Sequence, residues 1–229
     1  MGNLFTEILY RPLLNLVVII YDILPWHDFG LAIIVLTTLI RVLFFPLSIK
    51  TARSQKAMNQ LNPKMQEIKN KFKDDKSAQS AEIMKLYKEH NINPLSGCLP
   101  LLIQLPILIA LYRAFIAGLK PESLSLLYKF VANPGVINKI SFGFIDTTSK
   151  MPLLAVFAGV AQFIQAWQTN VQNKGSLNKE MAALNSQMLY FFPVMIIIIG
   201  WNLPAGLILY WITTTAFSIL EQLYIKRRG

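Results

Sequence analysis

The chain has 229 residues, of which 54% are hydrophobic and only 15% are charged, and its formal net charge is +10. Average soluble proteins carry about 25% charged residues, so this composition excludes an ordinary soluble domain and indicates an integral membrane protein. The single cysteine excludes a disulfide framework and a thiolate metal cluster.

The opening segment, residues 1–27, is predicted to be an amphipathic helix that lies in the membrane interface. Its uninterrupted apolar stretch, Leu13 to Tyr21, is too short for a spanning helix, which needs about 20 apolar residues. The competing interpretation is a cleaved signal peptide. Against it, no Lys or Arg precedes Arg11 and no small-residue cleavage site follows.

The first predicted span, residues 28–49, carries Arg41 in the most hydrophobic part of the chain. No acidic residue lies between Asp28 and Glu67 to neutralise it locally. A guanidinium in lipid costs about 2.5–3.5 kcal/mol, so an arginine placed here usually faces a wet cavity and marks a functional site. Arg41 is therefore predicted to be the centre of the site.

Residues 50–93 are predicted to form a cytoplasmic helical hairpin, because apolar residues recur there at three- and four-residue steps. The polar turn Lys73 to Lys76 separates two helices, and Pro63 is expected to kink or restart the first. A mere connector needs only a few residues, so this hairpin is predicted to be a docking surface. The residues predicted to form that surface are Met58, Leu61, Met65, Ile68 and Met84.

Four further apolar stretches approach the length of a spanning helix, which predicts an all-α membrane protein with five transmembrane helices. The link Asn202-Leu203-Pro204 is so short that Met188 to Tyr224 is predicted to be one antiparallel helical pair. The later spans are residues 94–117, 151–171, 188–202 and 205–225. The remaining segments are an extracytoplasmic loop, a cytoplasmic loop and a short basic tail, at residues 118–150, 172–187 and 226–229.

The positions of the 22 Lys and Arg residues predict how the chain is oriented. Most of them fall in the loops on one side of the predicted spans. Lys and Arg concentrate in cytoplasmic loops, so the amino terminus is predicted to lie outside and the carboxyl terminus in the cytoplasm.

Polar side chains inside the spans complete the predicted site. Each such group contributes about 0.6 kcal/mol when it bridges helices in a membrane, so helix association explains any one of them alone. Together with an arginine, which presents five donors and no acceptor, they predict a polar site, and prolines within the spans are expected to bend the helices and admit water beside it. The predicted site residues are Arg41, Thr37, Thr38, Gln104, Gln162, Gln165, Trp211 and Thr214.

No catalytic or cofactor-binding motif is present, since HExxH, GxSxG, P-loop and GxGxxG patterns are all absent from the sequence. We therefore expect no enzyme activity, no cofactor and no metal. One alternative is a small anion transporter in which Arg41 binds a carboxylate, although the inverted repeats common in transporters are not evident. A structural scaffold is a third interpretation, and it leaves the buried arginine unexplained.

Three stretches resemble the YidC family of membrane protein insertases, relatives of the mitochondrial Oxa and chloroplast Albino proteins. They read LTTLIRVLFFPLSIKTARSQKAMNQLNPKMQEIKNKFK, NINPLSGCLPLLIQLPILIALYRAF and LPAGLILYWITTTAFSILEQ. The second is specific enough to identify the family by itself. The resemblance covers nearly the whole chain and implies a multi-pass protein of a bacterial plasma membrane.

The resemblance implies a hydrophilic groove that is open to the cytoplasm and to lipid, with Arg41 at its centre. By match to the family's motifs, the groove also uses Gln165, with Gln162 as the adjacent alternative, and Trp211. The charged hairpin of residues 50–93 resembles the family's substrate-receiving element. The implied partners are nascent membrane proteins and the lipid bilayer, with no DNA, and action beside the Sec translocon stays open. Ribosome contact is expected to be weak because the basic tail is short, whereas relatives that dock ribosomes strongly often have a long one.

Overall fold

The structure is a computed structural model that describes residues 4–93, 99–117, 124–173 and 179–228. The described chain is predominantly helical, as the sequence predicts for a helical membrane protein, and it adds one pair of very short antiparallel strands. After a π-helical turn, Thr6–Tyr10, the elements are α1 (Arg11–Ile23), α2 (Phe29–Gln60), α3 (Asn62–Lys71), α4 (Lys76–Glu89), α5 (Leu99–Ala117), β1 (Ile140–Ser141), β2 (Ile145–Asp146), α6 (Pro152–Asn173), α7 (Lys179–Gly200) and α8 (Ala205–Arg228).

Helix α1 packs on the other helices through one apolar face. Leu14, Val17, Val18 and Tyr21 are buried, and most of them join the large core formed with α2, α5 and α8. Pro12 does not end the helix that precedes it, although proline lacks an N–H and crowds the carbonyl four residues back. The chain instead widens into the π turn before it, whose wider loop accommodates the proline without breaking the helix.

Helix α2 is one continuous helix of 32 residues. It begins after Asp28, whose side chain accepts a hydrogen bond from the Leu31 amide at 2.9 Å, and it continues through Pro46 to Gln60. Among the described residues it is the helix that is long and apolar enough to cross a membrane. At 1.5 Å per residue it is about 48 Å long, so it exceeds a hydrocarbon core of about 30 Å. The first span and the start of the predicted hairpin are therefore one rigid element.

Helices α3 and α4 pack against each other as a hairpin. Asp75 caps α4 by accepting hydrogen bonds from the amides of Ser77 and Ala78. Leu61, Met65 and Leu86 are buried together between the two helices. Leu61 and Met65 were predicted to receive substrate, and in the structure they form the hairpin's own core instead. Ile68 packs partly against that core, Met58 is half-buried, and Met84 is exposed.

Helices α6, α7 and α8 form the second part of the bundle, with α6 contacting both of the others. The tight connection predicted between the last two helices is present, since α7 ends at Gly200 and α8 begins at Ala205. The two helices do not pack along their length as a pair, because α6 takes the larger contact with each. Gly159 allows α6 to approach α7, since a Cβ at this position would overlap the Ile197 side chain.

The loop of residues 124–149, named the outer loop here after its predicted side of the membrane, packs over one end of the helices and fixes where α2 and α8 begin. The Phe142 amide donates to the Asp28 carboxylate at 2.7 Å. The amides of Ala205 and Gly206 donate to the carbonyls of Ser149 and Thr147, both at 2.8 Å. These bonds satisfy the first amides of α8, which have no partner within their own helix.

Candidate functional site

A cavity of about 350 Å³ lies among α2, α5, α6 and α8, around the side chain of Arg41. Six of the eight predicted site residues line it: Thr37, Arg41, Gln104, Gln162, Gln165 and Thr214. Four further polar residues line it without having been predicted: Ser48, Thr51, Tyr210 and Ser218. Its apolar wall is formed by Ile40, Phe44, Leu47 and Ile107.

The Arg41 guanidinium is held by neutral groups of α8. Its Nη2 donates to the Ser218 hydroxyl at 3.1 Å and to the Thr214 carbonyl at 3.3 Å. The Ser218 hydroxyl in turn donates to the same Thr214 carbonyl at 3.0 Å, so its oxygen is oriented to accept from the arginine. A neutral shell of this kind positions the side chain without forming an ion pair with it.

Part of the guanidinium is not used by these bonds. Arg41 Nε is buried and has no hydrogen-bond partner within the described chain. In the same ranges, no carboxylate forms an ion pair with Arg41. Burying a charged donor without a partner is unfavourable, so the guanidinium keeps an unused capacity to donate a hydrogen bond.

On α8, the aromatic residue that lines the cavity is Tyr210 and not the predicted Trp211. The Gln104 side-chain amide of α5 donates a hydrogen bond to the Tyr210 hydroxyl of α8. Tyr210 lies four residues before Thr214, on the same face of α8, whereas Trp211 is rotated by about 100° and packs beside Ala158, Ile196 and Ile208. Helical spacing from Thr214 was the signal that could have identified Tyr210.

Thr38 also lies outside the cavity. Its side chain is exposed, and its hydroxyl donates to the Ile34 carbonyl of its own helix at 2.8 Å. Thr37, four residues before Arg41, is buried on the cavity side and donates to the Ile33 carbonyl at 2.6 Å. Only one of two adjacent threonines can share the face of Arg41, because successive helical residues point about 100° apart.

The sequence model of the family described as 60Kd inner membrane protein matches residues 19–229. The chain is 34% identical over 202 residues to a membrane protein insertase YidC of Fusobacterium nucleatum, a match that covers 88% of each chain. It is 39% identical over 209 residues to the membrane protein insertase MisCA of Bacillus subtilis, covering 89% of this chain and 72% of that one. The chain belongs to the YidC family. The resemblance found in the sequence motifs is thereby confirmed.

The match to the YidC family includes every residue that lines the cavity, since all of them follow residue 19. The chain spans most of the Fusobacterium and Bacillus relatives but only 37% of the YidC insertase of Geotalea daltonii, to which it is 34% identical over 221 residues. The shared part of this family therefore contains the helices that build the cavity.

In this YidC-family chain, further polar side chains lie beyond the cavity at the interface of α6 and α8. Gln222 Nε2 donates to the Thr169 hydroxyl at 2.9 Å, and Gln168 Nε2 reaches the Ile219 carbonyl at 3.5 Å. The carbonyl oxygens of both glutamine side chains are buried and have no partner among the described residues. Unsatisfied acceptors at this interface provide places for water or for donors of another polypeptide.

Glu221 is a buried carboxylate one turn beyond Ser218 on α8, and 9% of its surface is exposed. The Ser48 hydroxyl, which belongs to α2 and lines the cavity, interacts with this carboxylate. Composition and hydropathy gave no reason to select Glu221, because it lies near the polar end of a predicted span. Glu221 could have been selected because it follows Thr214 by seven residues and therefore lies on the same face of α8.

Proposed function

We propose that this chain is a membrane protein insertase in which the cavity around Arg41 receives polar or acidic segments of newly made membrane proteins. The observation that carries the proposal is a half-buried guanidinium with neutral partners and one unused buried N–H, beside a cavity with many polar side chains. An entering carboxylate or carbonyl accepts a hydrogen bond from Arg41. This interaction lowers the free-energy cost of moving the segment out of water.

The apolar part of a substrate is proposed to enter lipid along the outer faces of α6 and α8. Large apolar side chains are exposed on both helices, among them Phe157 and Trp167 on α6 and Leu220 on α8. Such surface is unfavourable in water but neutral in hydrocarbon, since lipid tails are as apolar as leucine. A substrate helix can therefore exchange these contacts for lipid at little change in free energy.

We propose that the chain crosses the membrane five times, with its amino terminus outside and its carboxyl terminus in the cytoplasm. The support is the charge asymmetry of the loops, with the basic α2 end, α3 and α4 on one side and the outer loop on the other. In this arrangement the amino-terminal helix α1 lies at the outer interface. The Ser48 end of the cavity then lies nearer the cytoplasm than the Thr37 end.

The hairpin of α3 and α4 is proposed to make the first contact with substrate through its exposed residues, of which Met84 is the clearest apolar one. Its Lys-rich surface is suited to acidic polypeptide, to lipid headgroups or to ribosomal RNA. Nascent membrane proteins and the bilayer are the proposed partners. Cooperation with the Sec translocon and weak contact with the ribosome belong to the same proposal.

The proposal is tested with the purified chain in lipid vesicles, by measuring insertion of a single-span substrate whose outer tail is either acidic or neutral. Arg41→Ala is expected to lower insertion of the acidic-tail substrate about tenfold, because a charged hydrogen bond contributes roughly 1.5 kcal/mol. The neutral-tail substrate is expected to lose much less. Arg41→Lys is expected to retain much of the activity, since the charge remains.

The matched control is Arg113→Ala, which removes the arginine of α5 that lies over the Phe5 ring at 5.2 Å. It is expected to leave the ratio of acidic-tail to neutral-tail insertion unchanged. Equal losses for both tails in Arg41→Ala contradict the proposed role of the charge. Uptake of small anions into the same vesicles tests the alternative that the chain is an anion transporter. A transporter of this kind requires uptake that depends on Arg41.

A further inference from the structure

We propose that Glu221 is a built-in counter-charge for Arg41 that weakens the hold of the cavity on acidic polypeptide. This proposal rests on the proposed function and concerns its specificity. In it, a buried carboxylate of α8 controls how long an acidic segment stays in the cavity. Nothing in the described chain forms an ion pair with Glu221, so its charge acts on Arg41 through space.

The geometry brings the two charges to the same helix interface. Arg41 reaches Ser218 on α8, and Glu221 follows Ser218 by three residues, which is about 4.5 Å further along the helix axis on the same face. On α2, Ser48 follows Arg41 by seven residues and therefore shares its face. Arg41 and Glu221 therefore both lie at the interface between α2 and α8, close enough for their charges to interact.

The burial of Glu221 indicates that its charge has a role here. Glutamate is almost never fully buried unless it is paired or otherwise stabilised. The structure gives this carboxylate the Ser48 hydroxyl and the nearby guanidinium as its stabilising neighbours. If the side chain at position 221 only joined two helices, an uncharged amide would be sufficient. Gln222, one residue later, joins α8 to α6 in this way, because its Nε2 donates a hydrogen bond to Thr169.

The physical consequence concerns release. A lone guanidinium in a poorly solvated cavity attracts a carboxylate strongly, because the effective dielectric constant is low. A site that must pass its substrate on requires binding that is weak enough to leave. With Glu221 nearby, an entering carboxylate meets attraction from Arg41 and repulsion from a like charge, whereas a neutral polar segment meets only the hydrogen-bonding groups. Glu221 therefore lowers the affinity for acidic segments selectively.

The decisive variant is Glu221→Gln, which removes the charge and nearly preserves the shape of the side chain and its capacity to accept from Ser48. The probes are two single-span peptides that differ only in an acidic or an amide-containing outer tail. Their affinity and dissociation rate are measured on the full chain in neutral lipid vesicles. The expected result is about fivefold tighter binding and correspondingly slower release of the acidic peptide, with the amide peptide unchanged.

Three controls separate charge from structure. Glu221→Asp keeps the charge and is expected to keep the wild-type preference. Glu67→Gln removes a carboxylate of the exposed hairpin and is expected to leave the ratio of the two affinities near the wild-type value. In an Arg41→Ala background, Glu221→Gln is expected to change the ratio far less, because the acidic tail is then no longer held beside Glu221.

Two results overturn the proposal. An unchanged ratio of the two affinities in Glu221→Gln shows that the carboxylate does not act on the ligand. Equal shifts for both peptides show a structural role. Failure of the proposed function is recognised separately, because Arg41→Ala alone then leaves the affinity for the acidic peptide equal to that of the wild type.

Discussion

At the scale of single residues, the central feature is an arginine whose hydrogen-bond partners are all neutral. Most buried charges are paired with an opposite charge, and removing one partner of such a pair is strongly destabilising. Arg41 instead uses the Thr214 carbonyl and the Ser218 hydroxyl, both on one turn of α8. Its side chain is thus positioned by the fold, while its charge remains available to a ligand.

Tyr210→Phe tests whether the cavity depends on the hydrogen bond between Gln104 and Tyr210. Loss of the hydroxyl leaves the Gln104 amide without this acceptor, and we expect a decrease of about 1 kcal/mol in the free energy of unfolding together with reduced insertion of polar tails. Trp211→Phe, one residue away, is expected to affect packing near Ala158 but not the preference among tails. Thermal unfolding in detergent and the vesicle insertion assay measure the two effects. Identical tail preferences in both variants contradict the assignment of Tyr210.

The residues of the cavity could be predicted from the sequence where helical phase and polarity agree. Thr37, Arg41 and Thr214 belong to the cavity because each is polar within an apolar helix and shares a helix face with another cavity residue. Trp211 was selected from a motif, and the motif does not specify the helix face. Side-chain direction along α8 decides between Tyr210 and Trp211, and it becomes visible only when Thr214 is fixed as facing the cavity.

At the scale of elements, the hairpin shows why an apolar stripe alone does not identify its partner. The stripe of α3 was correctly recognised as helical, but its period is the same whether substrate or a neighbouring helix covers it. In the structure α4 covers Leu61 and Met65, and the Tyr87 hydroxyl approaches the Met65 sulfur at 3.0 Å. Burial in this contact raises the pKa of the Tyr87 phenol above its usual value.

Met65→Ala and Met84→Ala distinguish the hairpin core from its surface. Truncation of a buried methionine typically lowers the free energy of unfolding by about 2–5 kcal/mol, so Met65→Ala is expected to open the hairpin. Met84→Ala is expected to preserve the hairpin and to reduce only substrate contact, because the side chain is exposed. Hydrogen exchange of α3 and α4 measures the opening. Equal protection of the two variants contradicts the described packing.

The contact of α6 with α7 depends on Gly159. Alanine favours helix over glycine by about 1 kcal/mol, so Gly159→Ala would stabilise an unobstructed helix. Here the added Cβ would overlap the Ile197 side chain, and overpacking commonly costs about 1–3 kcal/mol, so we expect a lower melting temperature. Gly159→Ala combined with Ile197→Ala is expected to recover part of the loss. A rise in melting temperature for the single variant contradicts this close approach.

The outer loop is expected to loosen in acid. Hydrogen bonds from Ser149 and Thr148 lower the pKa of Asp146 below its usual 3.8, so the unfolded loop binds its proton more readily than the folded loop. The stabilisation is therefore present above pH 3.8 and is lost as the pH falls through the lowered value. Proteolysis of the loop by an acid-active protease is expected to accelerate there, and Asp146→Asn is expected to remove this pH dependence.

At the scale of the whole molecule, helical architecture follows from the bilayer, which leaves backbone groups no partners except one another. Composition and apolar run length were sufficient to predict it. The ends of the helices, and the pairs of helices that contact each other, were harder to predict from the sequence. α2 extends into the predicted hairpin because Pro46 is tolerated within it. α6 is the main neighbour of α7 and also packs on α8, and small residues such as Gly159 and Ala158 permit this close packing.

The proposed orientation is tested with single cysteines introduced at Trp26 and Lys85 in a Cys98→Ser background. A reagent that does not cross membranes is expected to label position 26 from outside the cell and position 85 only after the membrane is opened, because the basic segments lie inside. Labelling of both positions from the same side contradicts the predicted number of spans between them or the assignment of the hairpin to the cytoplasm.

The central claim is that the charge of Arg41 holds polar polypeptide in the cavity. The most direct measurement is crosslinking from a photoreactive residue at Gln165, which lines the cavity, to a stalled nascent membrane protein with an acidic outer tail. We expect crosslinks to the tail that become several times weaker in Arg41→Ala and are retained in Arg41→Lys, because the lost charge-assisted interaction contributes about 1.5 kcal/mol. Crosslinks of equal strength with and without the charge at position 41 would contradict it.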